Sequence, residues 1–458
     1  MAQACGLGLL LALLLPLVGA SMPGFVVRLN KATLKYVTDV GKVPFQRVLK
    51  VTVPYFLDQS QQRIQPIRVQ ILNVHVHNFQ LNFVADFGVH LSAEANFNFR
   101  VLRVPESVTL TMPVILSADV QVTQGPIQTP LVSISDCNST FGPISILDGS
   151  NNTSPKMLVH LQNHIETVLN NKLCLAISSL MQVINVHFGT LIGLKPVGPE
   201  SQIRYTMVNA PTITNDYISL DINAMLFLLG KPIVLPLDAT PFLLLERVGA
   251  KDAMTTLGLS QDLFDSAILL LQKAGSLNLE ITGKLHSVNN QLNTSVLGQL
   301  IPEVTHQFPQ PMPLVLKAKL GATPIASLAH NNATLQLQPL IEVLVAASNS
   351  DFRSLFSLNV MVTLSLQLSV SKVKLQGATK VLGDIGLTVA SSNVGSFDTR
   401  KVHALVRNVF EKPLLDHLNA LLGLGISLPS VANLYYLAPR VLVHDGYAVI
   451  SSDLFYQC

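Results

Sequence analysis

Charge is scarce in this chain. Asp, Glu, Lys and Arg make up 12% of its 458 residues, about half the usual share of roughly 25%. Hydrophobic residues reach 49%. A chain this apolar either sits in a membrane or buries apolar surface beyond an ordinary core. Tryptophan is missing and cysteine occurs only four times. No Cys-x-x-Cys pair, Gly-x-Ser-x-Gly elbow, His-Glu-x-x-His helix or phosphate-binding glycine loop is present. No residue constellation therefore supports an enzyme, and no cofactor is expected. His75 and His77 flank Val76 and would share one side of a strand, but no third ligand stands at diagnostic spacing, so no metal is expected. The net charge is only +3. Its excess gathers near the N-terminus, where Arg28, Lys31, Lys35, Lys42, Arg47 and Lys50 stand against Asp39. This is a modest basic patch that biases encounter with anionic surfaces, peripheral membrane contact included. It is no nucleic-acid footprint.

Residues 7–18 are apolar, and Val18, Gly19 and Ala20 supply small residues for cleavage after Ala20. This reads as a secretory signal, although the segment before it lacks Lys and Arg. The protein is expected to be secreted. Cleavage removes Cys5 and leaves Cys137, Cys174 and Cys458. In an oxidising compartment the first two are a candidate pair. Cys458 is then odd, as a free thiol or an intermolecular link. Sequons at Asn138, Asn151, Asn152, Asn293 and Asn332 fit export, with Asn152 the weaker of its pair because Pro155 follows closely. Asn138, Asn151, Asn293 and Asn332 are the expected glycosylation sites.

What the chain does have is alternation. From residue 87 to 101 every second residue is apolar: Phe87, Val89, Leu91, Ala93, Ala95, Phe97, Phe99 and Val101. A period of two marks a strand with one dry and one wet face. At about 3.3 Å per residue it spans roughly 50 Å. The pattern recurs as Leu358, Val360, Val362, Leu364, Leu366, Leu368 and Val370. Residues 67–122 alternate almost throughout and predict an antiparallel meander.

Helical spacing appears in four places. Residues 30–40 predict a short amphipathic helix, with Leu34, Tyr36 and Val37 inward and Pro44 breaking or kinking it. Ser154 and Pro155 open a long helix carrying Leu161, Ile165, Leu169 and Leu173. Its part from 173 to 194 has no charged residue. That permits a membrane span, but the polar positions favour a buried core helix. Ser260 caps a third helix ended by Gly275. Asp398 begins a fourth, with Pro413 kinking it. Residues 441–455 alternate again. Helix, meander, long helix thus occurs twice around a proline-containing connector. The expected domains are a signal peptide at 1–20, a module at 21–228, a linker at 229–247 and a module at 248–458. The fold class is α+β, with two tandem modules, each a long curved antiparallel sheet closed by two helices. A lid of two helices need not fill the volume under so broad a sheet. The remainder would be an apolar cavity suited to acyl chains. A membrane-embedded β protein also fits the alternation, but the helices and sequons disfavour it.

The chain also resembles a known group: the bactericidal/permeability-increasing protein, lipopolysaccharide-binding protein and PLUNC family. The resemblance rests on Pro23-Gly24-Phe25-Val26-Val27-Arg28 and the two cysteines around the long helix. It continues through Leu257-Gly258-Leu259-Ser260, Gln272-Lys273-Ala274-Gly275, Ile301-Pro302-Glu303-Val304, Ser392-Asn393-Val394-Gly395 and the end from Leu428-Pro429 to Phe455-Tyr456. It covers the whole mature chain and is greatest to the long, two-domain PLUNC branch. The resemblance implies a boomerang of two modules joined by a central sheet. It implies a disulfide between Cys137 and Cys174, and one phospholipid-holding apolar pocket per module, between helices and concave sheet. Transferred to this sequence, the first pocket is expected at Leu34, Val37, Phe87, Leu91, Leu161, Ile165 and Leu169. Phe264, Ile268, Leu364, Leu405 and Val409 are the counterparts. The implied partners are phospholipid or another acyl lipid and, alternatively, bacterial lipopolysaccharide. The lipopolysaccharide-binding relatives carry a strongly basic tip. Here residues 67–122 hold Arg68, Arg100 and Arg103 against Asp86, Glu94, Glu106 and Asp119, which puts capture of lipid A phosphates in doubt.

Overall fold

A computed structural model describes residues 24–58, 65–102, 107–148, 155–197, 200–233, 242–245, 248–250, 252–282, 292–347 and 351–457. The signal segment, Asn151, Ser154 and Cys458 lie outside them. Strand β1 (Phe25–Asn30) runs into helix α1 (Lys31–Val48). The N-terminal sheet follows: β2 (Phe56–Asp58), β3 (Gln65–Val84), β4 (Gly88–Leu102), β5 (Ser107–Gln124), β6 (Pro130–Phe141) and β7 (Ser145–Asp148). Helix α2 (Pro155–Gly189) closes it. The chain returns through β8 (Lys195–Pro196), β9 (Ser201–Met207), β10 (Thr212–Ile213), β11 (Tyr217–Leu228) and β12 (Lys231–Pro232). The second half begins as the first does, with β13 (Thr255–Ser260) running into α3 (Gln261–Lys273). Then come β14 (Leu279–Thr282), α4 (Thr294–Leu300) and α5 (Pro302–Gln307). The C-terminal sheet adds β15 (Leu314–Leu320), β16 (Ile325–Ala329), β17 (Asn332–Leu337), β18 (Pro339–Ala346), β19 (Phe352–Ser371), β20 (Lys374–Val381) and β21 (Gly386–Ser392). Helices α6 (Thr399–Val409) and α7 (Leu415–Leu424) are joined by a π-type turn. Strands β22 (Ile426–Ser427), β23 (Leu434–His444) and β24 (Tyr447–Tyr456) end the chain.

Three antiparallel sheets result. The central one runs β23-β24-β13-β1-β11-β9-β8. Its middle pair, β1 and β13, places Phe25 opposite Leu259 and Val27 opposite Leu257. Outward from that pair, β11 and β9 on one side correspond to β24 and β23 on the other, so the duplication closes on itself. Buried Arg28 straps the connector to this sheet, donating to the carbonyls of Leu244 and Leu245. Phe242 and Leu244 pack there on Val26 and Val449.

The long strands owe their curl to bulges. Strand β3 slips register between Ile71 and Asn73 and again between Val76 and Asn78. Each bulge bends the strand and sharpens its twist. The slips also keep the apolar residues inward as their phase changes from Val69 and Ile71 to Val74 and Val76, then to Phe79 and Leu81, with Phe83 reaching the neighbouring core. The turn into β4 brings Gly88 against β5, where a Cβ would stand 2.0 Å from the Val120 carbonyl oxygen. Only glycine fits so close an approach.

Helix α2 buries Met157, Leu161, Ile165, Leu169, Leu173, Ile177 and Met181. Residues four apart form one inclined ridge of a helix, and this ridge is the face that α2 buries. Asn185 donates to the Val132 carbonyl and accepts from its N–H, both at 2.8 Å. The helix thereby covers β6, a sheet edge. In the other half Asn419 of α7 does the same to Thr379 of β20.

Several expectations are corrected. Helix α1 passes through Pro44 and runs 18 residues. The carbonyl that Pro44 leaves without a partner belongs to exposed Val40, where water can take the bond. Val37 is 40% exposed rather than inward. Phe87 sits in the turn before β4, half-buried. Helix α2 buries one face only: Leu175, Val183 and Val186 are exposed. Ser260 precedes α3 but makes no cap bond, and its buried hydroxyl has no partner among the described residues. The tail 441–455 is two strands, because Gly446 turns the chain at φ +79.

Candidate functional site

The two long alternating strands meet different things. On β4, Leu91, Ala93, Ala95, Phe97, Phe99 and Val101 are all buried and pack with α2 in one core. Leu161, Ile165 and Leu169 belong to that packed core. The Cys137–Cys174 disulfide ties β6 to the middle of α2, with Cα atoms 5.9 Å apart. Cys174 thus lies inside the helix rather than beside it.

On β19 the dry face leaves the core part-way. Leu358, Val360, Val362 and Leu364 are buried, whereas Leu366 and Leu368 are partly buried. These two line a cavity of about 70 Å³ with Phe264, Ala267, Ile268 and Leu422. Gln376 is its one polar lining side chain, and its amide is held by the Gly423 carbonyl at 2.6 Å. A second cavity of about 30 Å³ lies under the π-type turn, between Leu364, Phe410, Leu414 and Leu418. The turn spans Phe410–Leu414 and contains Pro413. Proline cannot supply the N–H of a regular turn, and here, unlike at Pro44, the helix widens into a π-type turn. Asp398 caps α6 by accepting from the Arg400 N–H.

The N-terminal half has an open recess of about 460 Å³ between α1 and β3, lined by Leu34, Phe79, Leu81 and Phe83 with Lys31 and Lys35 at its edge. Lys31 pairs with Asp216 at 2.6 Å, both well exposed. The expected pocket residues are thus divided. Leu34 lines the recess, Phe264 and Ile268 line the first C-terminal cavity, and Leu364 the second. Val409 is buried in the C-terminal core and Leu405 packs partly buried against it. Ala267, Leu366, Leu368 and Leu422 were not among the expected residues. The continuing alternation of β19 was the signal for two of them.

Asn138 and Asn332 are exposed, while Asn293 is half-buried and accepts from the Val296 N–H at the start of α4. The His75 and His77 rings stand 4.7 Å apart. No group of three or more His, Cys, Asp or Glu that could hold a metal occurs among the described residues.

Two lysines lie near the C-terminal cavity in sequence: Lys374, which donates to the Leu424 carbonyl at 3.1 Å, and Lys195, two residues before lining Val197. Lys195 donates to the carbonyl and hydroxyl of Ser430 at 2.9 and 2.7 Å. Its ammonium lies 5.7 Å from the Tyr205 ring centroid. Tyr205 donates to the Ser427 carbonyl and Tyr436 to that of Pro429. Burial pushes the Lys195 ammonium down to about 8 and both phenols upward.

Residues 33–185 match the N-terminal domain of the LBP / BPI / CETP family, and residues 197–456 match its C-terminal domain. The chain belongs to the LBP / BPI / CETP family. It is 66% identical over 457 residues to BPI fold-containing family B member 2 of Homo sapiens and 60% identical over 461 residues to that of Mus musculus, with 100% of each chain covered. A crystal structure of lipopolysaccharide binding protein superposes at a TM-score of 0.63 with 21% identity, covering 95% of this chain and 100% of that one. At that identity the match shows the fold: two curled sheets on a shared central one.

Proposed function

We propose that the protein is a secreted, non-enzymatic lipid-binding protein of mucosal innate defence that holds phospholipid-type acyl chains in two apolar sites. The observation that carries this reading is the cavity under α3 and α7, apolar but for Gln376. The recess beside α1 is the second site, apolar on Leu34, Phe79, Leu81 and Phe83 and polar on Lys31, Lys35, Thr38, Gln80, Asn82 and Asn215. Each buried methylene contributes about 0.8 kcal/mol, so chain burial alone gives tight binding without catalytic groups. The cavity of about 70 Å³ is partly open but too small for a whole chain, so α7 would have to shift to admit one. Membership of the LBP / BPI / CETP family supports the lipid-binding class. Native mass spectrometry of protein from secretions tests the reading. Co-purifying lipid, reduced by Ala267→Phe, is expected. Lipid-free protein that also takes up no added phospholipid would overturn it.

A second reading is favoured by the exposure of Lys31, Lys35, Arg47 and Lys50 on and after α1, beside the open recess. It is lipopolysaccharide binding through this segment. Its mark is affinity that falls steeply with salt and with charge reversal at Lys42, Arg47 and Lys50. Salt-independent binding would remove it.

A further inference from the structure

Helix α2 leaves an apolar face uncovered. With the turn after it, α2 is long and apolar enough to cross a bilayer. Yet the Cys137–Cys174 disulfide and the Asn185 clamp on Val132 hold it flat on the sheet. Its outer side changes character part-way. Asn163, Thr167 and Asn171 are exposed in the first half, and the same four-residue ridge continues as exposed Leu175, Ser179 and Val183. Leu175, Val183 and Val186 are 66%, 52% and 72% exposed, and Leu194 lies exposed just past the helix. Between Glu166 and Glu200 there is no Asp or Glu, and the lysines are Lys172 and Lys195. On the adjoining strand β6, Cys137 and Ser139 bond to α2. Asp136 and Asn138 alternate with them and so point to the other face of the sheet. The start of the apolar ridge is cationic. Lys172, one turn before Leu175, donates to the Thr52 carbonyl at 2.6 Å. Two residues from Thr52 is exposed Lys50, whose N–H donates to the carbonyl of exposed Arg47.

We propose that the outer ridge of α2, from Leu175 to Leu194, docks the protein flat on an anionic lipid surface. Two observations choose that occupant. The charge at the start of the ridge is cationic, which suits anionic headgroups. The apolar part is one row of four large side chains, none aromatic, well short of the roughly 800 Å² per partner that a stable protein interface buries. A helix lying in a lipid interface needs only such a row and a basic border. This docking is separate from chain burial, since none of the ridge residues lines either cavity or the recess.

The test is co-sedimentation of the full chain with vesicles of phosphatidylcholine and phosphatidylglycerol. The wild type is expected to bind. The double variant Val183→Asp/Val186→Asp should bind about tenfold or more weakly, because two apolar contacts are lost and two carboxylates face anionic headgroups. Both positions are exposed, so the fold should tolerate the change. If it does not, a fluorescent reporter decides. The chain has no tryptophan, so Val186→Trp supplies a single one. Its emission should shift to the blue when vesicles are added and be quenched by brominated acyl chains. Wild-type protein that ignores the vesicles, a double variant that binds as tightly as the wild type, or a Val186→Trp emission that vesicles leave unchanged would overturn the docking. So would a wild-type dimer that the double variant disperses and that leaves vesicles unbound, since the ridge would then belong to a second copy of this chain.

Discussion

In the N-terminal module the helix lying on the sheet is continuous for 35 residues and cross-linked to its edge strand by a disulfide. In the C-terminal module the corresponding helix stops after 11 residues, passes through a π-type turn holding Pro413, and resumes for 10. Both use an asparagine to clamp the sheet, Asn185 on Val132 and Asn419 on Thr379. The plan is shared, so the difference isolates what interruption does. A straight, tethered helix fills the space over β4 with side chains. Under the interrupted one a gap opens over β19 at Leu364, and Leu366 and Leu368 face a further cavity between α3 and α7. One half is thus closed between β4 and α2 and opens only at the recess beside α1, while the other has cavities within its core.

The contrast is most sharply tested by equal truncations. Ile165→Ala removes a side chain that is fully buried under α2 and should cost about 2–5 kcal/mol. Leu368→Ala, beside space that already exists, should cost under about 1 kcal/mol, because its partners are fewer. Urea unfolding followed by hydrogen exchange in each module measures both. Equal losses would mean that the C-terminal half is closed as tightly as the N-terminal half.

Cutting the tether comes next. Replacing Cys137 and Cys174 with Ser should cost about 3–4 kcal/mol by the loop-entropy model. The loss should stay in the N-terminal module, seen as protease cleavage around α2, while lipid uptake by the C-terminal cavity persists. Loss of both together would show that the central sheet couples the modules.

Much of this was legible from residue order. Alternation marked β4 and β19 because a half-buried strand must repeat every two residues. The phase slips at Leu72 and His77 in β3 even mark the bulges that bend it. Asp398 declared the start of α6. Closure was not legible: Leu161 in a packed core and Leu366 at a cavity look alike in sequence, since both sit on regular apolar stripes. Pro44 misled because its cost depends on whether the Val40 carbonyl reaches water. Lys195 was invisible, since its partner Ser430 is 235 residues away.

A pH-dependent effect lies at that contact and separates the C-terminal half from the tethered core. In the folded protein burial lowers Lys195 to about 8, against 10.5 in an open chain. Between these values the unfolded chain binds more protons than the folded one, so stability rises with pH across the window. The gain is about 1–3 kcal/mol, less than the full shift because the group is only half-buried. Tyr205 and Tyr436 act oppositely. Their raised phenols keep protons that the unfolded chain loses, so above about pH 10 their contribution to stability falls. The rise should therefore appear between pH 8 and 10 and then bend over. Lys195→Met should flatten it, and loss of the disulfide should leave its shape unchanged. Thermal unfolding across that range reads both effects. A flat profile in the wild type would place the ammonium in water, and the contact would then carry no buried charge.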